Sequence, residues 1–321
     1  MRAMVRAMFS GAIALSTAHA VAQSYPAKPI RFILPFPPGG PTDLLGRTLA
    51  EKLSELMGQP VITDNRPGAG GNLGAELAAK SVPDGYTIVL CAPSIAISPS
   101  LYKKLNYDPL RDLAPIQLVA TIPNVLVVHP SVPAQTLAEL IDFARRNPGK
   151  LNFGSGGAGT SNHLGGELFK LLAKVDLVHV PYKGVETAMK AMLGGQVDLV
   201  VIGVPPTIAQ IKAGKLRALV ALGRERVAAL PDVPTAAEAG LPGFEVDTWY
   251  GVLAPAGTPR ELIERLNRDL TRALASPDLR ERLANVGIRP LSDTPEAFRA
   301  FLHSEAARWA KVVKEAGAEV N

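Results

Sequence analysis

Two glycine-rich segments hold most of the residues whose type and spacing suggest chemistry. The first is Phe36-Pro37-Pro38-Gly39-Gly40-Pro41-Thr42-Asp43, and the second is Gly154-Ser155-Gly156-Gly157-Ala158-Gly159-Thr160-Ser161. Each lies between a short apolar strand and a helical stretch. Glycine lets the backbone turn sharply and come close to a ligand. The helix that follows offers unpaired N–H groups and roughly half a positive charge at its N-terminus. Such anion sites need no lysine. Facing each other across a cleft, the two segments would hold a carboxylate by backbone and hydroxyl donors. Taken singly, each also fits an ordinary strand-to-helix turn.

The second segment partly fits two nucleotide templates. Gly154-x-Gly156-x-x-Gly159 matches the dinucleotide fingerprint, but Pro181-Tyr182 stands where the acid after the next strand belongs. The spacing Gly154-x4-Gly159 resembles a phosphate loop, but Thr160-Ser161 replaces the Lys-Ser/Thr pair. No G-x-S-x-G elbow and no H-E-x-x-H helix occurs. A secreted hydrolase or transferase would have to use Ser155, Thr160 or Ser161 with His163, and no orienting acid is evident. His129, His163, His179 and His303 show no metal-ligand spacing. His163, four residues past the loop, either touches a ligand or bonds locally at the helix start. Cys91 ends an apolar strand as a core thiol, and Arg66 reads as a structural ion-pair residue before an anion ligand. Tyr182, amphipathic and just after a strand, is a better cleft-lining candidate than its neighbour Lys183.

The elements around these segments alternate strand and helix. Ile30–Leu34, Val61–Thr63, Tyr86–Leu90, Asn124–Val128, Leu151–Phe153, Leu177–Val180, Val197–Ile202 and Leu216–Leu222 read as strands. Leu45, Leu49, Leu53 and Leu56 mark a helix face, and a further helix spans about Leu73 to Lys80. Thr136-x-x-Glu139 is a capping box. Thr258-Pro259-Arg260-Glu261 combines a cap, a proline at the first helical position and a reciprocal acid, and Ser276-Pro277 and Thr294-Pro295 open helices in the same manner. Alternating units predict an α/β protein with mostly parallel sheets flanked by helices. The chain has 321 residues, near the limit of one compact core. The expected division is one discontinuous lobe of residues 23–122 plus 247–321, a second of 123–246, and a ligand cleft between them.

The N-terminus has Arg2 and Arg6, a small apolar stretch over Ala7–Ala18, and A-x-A patterns ending at Ala20 and Ala22. This reads as a signal peptide of residues 1–22, cleaved near Ala22, and the apolar run is shorter than the ~20 residues a span requires. The formal charge of +5 falls to +3 once Arg2 and Arg6 leave, too mild to suggest nucleic acid.

Several segments in order resemble the Bug-type extracytoplasmic solute receptors, the substrate-binding components of tripartite tricarboxylate transporters. They include Pro35–Asp43, Asp64-Asn65-Arg66-Pro67-Gly68-Ala69-Gly70-Gly71, Pro83-Asp84-Gly85-Tyr86-Thr87 and Leu151–Gly159. They continue through Val180-Pro181-Tyr182-Lys183-Gly184, Gly195-Gln196-Val197-Asp198-Leu199, Asp232–Gly240 and Trp249–Pro259. The resemblance implies a two-lobed periplasmic binding protein, of the type II-like class, that closes around a small organic carboxylate. It implies delivery to integral membrane transporter subunits, no enzymatic activity, no cofactor and a monomer. Carried onto this chain, it places Pro38, Gly39, Gly40, Thr42 and Asp43 on one wall. Gly154, Ser155, Gly156, Gly159, Thr160 and Ser161 form the other. Ser94, Ile95, Tyr182, Lys183 and Val204 shape the remainder. Asp43 fits a helix-start acid better than a direct anion ligand, since like charges repel. Members that bind amino acids often carry an acid or amide after the strand corresponding to Val197–Ile202, where this chain has Gly203-Val204-Pro205-Pro206. An ammonium group would lack a counter-ion there. Ile95, Ile97, Val204 and Pro205 are expected to form an apolar wall for an aromatic or dicarboxylic tail.

Overall fold

The computed structural model describes residues 25–320, and the signal segment 1–22 lies outside them. In the first half of the chain come β1 (Ile30–Leu34), α1 (Pro41–Met57), β2 (Val61–Asn65), α2 (Asn72–Ala79), β3 (Thr87–Cys91), α3 (Ser94–Leu101), β4 (Leu113–Val128) and α4 (Leu137–Arg146). The second half adds β5 (Asn152–Ser155), α5 (Ser161–Ala173), β6 (Val178–Pro181), α6 (Val185–Leu193), β7 (Leu199–Gly203), α7 (Ile208–Lys212) and β8 (Arg217–Ala221). It ends with β9 (Asp247–Pro255), α8 (Arg260–Ala275), α9 (Pro277–Asn285), β10 (Arg289–Pro290) and α10 (Pro295–Ala316).

Two α/β halves share one strand. In the first, β1 pairs in parallel with β2 and β3, and β9 and β4 then add antiparallel. In the second, β5 pairs in parallel with β6 and β7, while β4 adds antiparallel to β7 and β8. The sheets are therefore mixed, with their parallel parts on the side away from β4. Strand β4 pairs with β9 as far as Pro123–Asp247 and with β7 from Asn124–Gly203 onward. Proline donates no ladder hydrogen bond, so it fits the point where the partner changes. The Asn124 amide donates to the Val246 carbonyl at 2.9 Å and to Thr248 Oγ1 at 3.0 Å, tying β4 to the segment entering β9.

The helix stripes bury as their spacing predicts. Leu45, Leu49 and Leu53 are fully buried against Ile30, Phe32 and Leu34. At roughly 1.5–3 kcal/mol per buried side chain, this face holds α1 on the sheet. Glycine at position 46 lets α1 sit close on β1, because a Cβ there would lie 2.3 Å from Leu34 Cδ2 and the leucine would have to shift. Thr136 Oγ1 accepts from the Glu139 N–H at 3.2 Å, but Glu139 reaches the Gln135 N–H, one residue before the expected partner. At residue 258 the expected cap fails. Helix α8 begins at Arg260, and the Thr258 hydroxyl donates to the Pro255 carbonyl at 2.7 Å. Ser276 likewise makes no side-chain cap, whereas Thr294 Oγ1 accepts from the Ala297 N–H at 3.1 Å. Helix α10 serves both halves. Phe298 and Leu302 pack with Trp249 and Leu253, while Trp309, Val312 and Val313 pack with Leu126, Phe169 and Phe244.

Among the described residues, no helix is long and apolar enough to cross a membrane.

Candidate functional site

The sheet order brings the C-terminal ends of β1, β3, β5 and β6 to one cleft, and each of these strands feeds a helix there. Gly40, Pro41 and Thr42 at the start of α1 line the cavity, as do Pro93 and Ser94 at the start of α3. Opposite stand Thr160, Ser161 and Asn162 at the start of α5, and Gly184, Val185 and Glu186 at the start of α6. Four helix N-termini thus meet at one cavity. Their first N–H groups have no intrahelical partner and carry partial positive charge. Among the described residues no lysine, arginine or histidine lines the cavity, so the donors it offers an anion are backbone N–H groups and hydroxyls.

The first loop is braced from behind by Asp43. Its Oδ2 accepts from the Gly39 N–H at 3.0 Å and from Arg47 Nε at 2.9 Å, and its Oδ1 accepts from Asn65 Nδ2 at 2.9 Å. Burial alone would raise this carboxyl; the bonds from Arg47, Gly39 and Asn65 outweigh it and hold the pKa below the ordinary range. Asp43 therefore fixes the loop and does not face the cavity. Gly39, at φ +89°, supplies the turn itself, and Pro38 points to solvent.

The second loop is braced by two histidines, His163 buried and His179 half-buried. Ser155 Oγ is 2.7 Å from His179 Nε2 and accepts from the Gly157 N–H at 3.2 Å. His163 Nδ1 accepts from the Gly159 N–H at 3.3 Å, and the Thr160 hydroxyl donates to the Gly157 carbonyl at 2.8 Å. The rings of Phe153, His179 and His163 stack, the two imidazole centroids 4.1 Å apart. Burial, with the nearby His179 and Lys170 adding to it, lowers His163 to about 3. Burial and then Lys170 lower His179 to about 4. Both rings are neutral at pH 7. In this form His163 Nδ1 keeps the lone pair that the Gly159 N–H requires.

Of the residues expected at the site, Gly40, Thr42, Ser94, Gly156, Thr160 and Ser161 line the cavity. Gly154, Ser155, Gly159 and His163 stand behind the loop as its support. Ser155 is completely buried, and its imidazole partner is His179 instead of His163. Tyr182 packs with Val180 and Val185 against the second-half core, and Lys183 is exposed. Ile95 and Val204 are corrections of a different kind. Both are apolar and adjacent to a loop, but both turn into core clusters, as does Ile97. The apolar lining comes from Phe36, Pro37, Ile122, Val185, Ile202 and Pro206 instead.

Sequence reasoning also missed polar residues of the lining. Tyr250 and Thr248 enter from β9, with Thr248 Oγ1 3.1 Å from Ser161 Oγ. Burial pushes the Tyr250 phenol well up, so it remains protonated. Asn162 and Glu186 are others. Gly40 lies so close beneath the glutamate that a Cβ there would be 2.8 Å from Glu186 Oε1. The lining therefore does contain a carboxylate, from α6 and not from the segment after β7. The remaining bland readings hold. Cys91 is a buried thiol with its pKa pushed up by burial, and Arg66 pairs with Asp64 at 2.9 Å. Among the described residues no cluster of metal-ligating side chains occurs.

The cross-lobe contacts continue past the cavity. A Cβ on Gly70 would meet the Ala158 carbonyl at 2.6 Å, and the Tyr102 hydroxyl donates to that same oxygen at 3.4 Å.

A model of the tripartite tricarboxylate transporter family receptors matches residues 45–318. The protein BugT of Bordetella pertussis is 41% identical over 301 residues, covering 93% of this chain and 92% of its own. The solved structure of an R. palustris protein with adipate is 37% identical and superposes with a TM-score of 0.86, covering 92% of this chain and all of that one. The periplasmic binding protein BugD is also 37% identical, with a TM-score of 0.85, over 92% and 99% of the two chains.

Proposed function

The chain belongs to the tripartite tricarboxylate transporter receptor family, the Bug-type periplasmic solute-binding proteins, and on that premise we propose that its cleft captures a small organic carboxylate for delivery to integral membrane transporter subunits. One observation carries the reading: four helix N-termini face a cavity that, among the described residues, no basic side chain lines. Gly40, Thr42, Ser94, Gly156, Thr160 and Ser161 are the residues we assign to the ligand. Each partly buried helix terminus stabilises an anion by up to about 2 kcal/mol. Hydrogen bonds to a charged oxygen add about 1.5–3 kcal/mol each, offset by desolvation and by closure. Relatives with adipate or malate bound support the ligand class.

We further infer that the receptor acts without catalysis and as a monomer in the periplasm, with cleavage near Ala22. Residues 23–122 and 247–321 form one lobe and 123–246 the other, with α10 lying across both. A hydrolase using the second loop would need a nucleophile at the cavity with a base beside it, and Thr160 and Ser161 line the cavity without an imidazole hydrogen-bonded to their hydroxyls. Ser155, the hydroxyl that has an imidazole partner, is buried away from the cavity. A thermal-shift screen of organic acids on the mature protein tests the reading, since a specific ligand raises the melting temperature by mass action. Shifts with short carboxylates, together with compaction in solution scattering, are the expected result. Shifts only with amines, sugars or nucleotides would overturn it.

A further inference from the structure

We propose that Glu186 sets the specificity of the cleft, selecting a carboxylate whose far end is a hydrogen-bond donor, an ammonium or a hydroxyl, over one that ends in a second carboxylate. This deepens the carboxylate-capture reading and rests on it.

Among the described residues that line the cavity, Glu186 is the only charged side chain. Among the described residues it forms no salt bridge, whereas Asp43 at the start of α1 is paired with Arg47. It rises from the first turn of α6 on one lobe, and its Oε1 lies against Gly40 of the other. Its Oε2 would stand 3.2 Å from a Cβ on Gly184, so both oxygens lie over backbone that has no side chain to cover them. Its charge also reaches the buried Tyr250 phenol of the opposite wall, where it adds to the larger effect of burial.

A carboxylate ligand held at the N-termini of α1 and α5 therefore shares a small cavity with one fixed negative charge. The helix termini neutralise the first ligand carboxylate. A second one brought toward Glu186 would meet a like charge in a medium less screening than water. An ammonium or hydroxyl in the same place would donate to Glu186 in a charge-assisted bond. Specificity is the difference between these two outcomes, and the repulsive element contributes as much as the attractive one.

Calorimetry with matched acids tests the assignment. Each set contains an ω-amino acid, an ω-hydroxy acid and an α,ω-dicarboxylate on the same straight chain, run as short, medium and long homologues. Titrations use the wild type and Glu186→Gln, which keeps the side-chain shape. The wild type should bind the best donor-ended acid at least about tenfold tighter than its dicarboxylate partner, the scale expected for one unscreened like-charge contact. Glu186→Gln should shrink that ratio about fivefold or more, mainly by a gain for the dicarboxylate. A wild type that prefers the dicarboxylate, or a ratio unchanged in Glu186→Gln, would overturn the role of Glu186 and leave carboxylate capture standing. No binding of any of these acids to either protein, while a non-carboxylate solute binds, would overturn both.

Discussion

Ser155 Oγ and His179 Nε2 stand 2.7 Å apart between the neighbouring parallel strands β5 and β6, in the layer directly behind the second glycine loop. The pair has the composition of a nucleophile and its base, but the serine is buried, and its oxygen also accepts the Gly157 N–H. Its work is to hold the loop. With His163 on the Gly159 N–H, it fixes which backbone amides remain free to face the cleft.

Acid should loosen this support. His163 and His179 titrate at about 3 and about 4 in the folded chain, against 6.5 when free. The unfolded chain binds more protons across that window, so stability is complete above about pH 6.5 and is lost as the pH falls toward 4. His163 alone should account for about 2 kcal/mol or more of that loss. Urea midpoints measured across the window check it, and His163→Gln should flatten the profile.

Gly156→Val should weaken ligand binding about tenfold or more, while Lys183→Ala should stay within about twofold. The cause is indirect. A Cβ on Gly156 would lie 2.9 Å from the Val185 N and 3.3 Å from the Gly184 carbonyl carbon, pushing the two second-lobe loops apart. Lys183 is exposed and lines nothing. Titration of any acid found in the thermal screen distinguishes the two variants.

Asp43→Ala should lower stability by about 1–3 kcal/mol, because it strips acceptors from the Gly39 N–H and from Asn65. Affinity should fall with it, since the loop loses its brace. Asp43→Asn, which keeps one acceptor oxygen, should recover part of both. Chemical denaturation and calorimetry on the same samples give the two readouts.

Ligand affinity should depend only weakly on salt. Among the described residues no lysine or arginine lines the cavity, and amide dipoles in a closed cleft are screened less than exposed charges. Raising sodium chloride tenfold should change the dissociation constant by less than about threefold. A steep salt slope would point to a basic side chain in the ligand's path.

Much of the fold was legible because its signals are local. The Leu45–Leu49–Leu53 stripe, the apolar run Ile30–Leu34 and the Thr294-Pro295 start each depend on neighbours in sequence. The first half of β4 was not legible. Pro115 and Pro123 break up its apolar sequence pattern, and its register against β9 slips between Pro115 and Gln117. At the site, the two glycine loops announced themselves, but the split between residues facing the cavity and residues behind it did not. Ile95 and Val204 have the right polarity for a wall, and only the direction of the helix start turns them into the core. Glu186 looks in sequence like any first-turn acid, and its partner surface at Gly40 lies 146 residues away in the chain (186 − 40). His179 was likewise unremarkable until strand pairing set it beside Phe153.

Because β4 runs unbroken through both sheets, the lobes are two ends of one ribbon and not two bodies joined by a tether. Any opening of the cleft would have to twist that ribbon where its partner changes, at Pro123 and Asn124. Such a ribbon would return the jaws to the same register on closing, as spring-steel tweezers do, with the amide donors on each side already aligned.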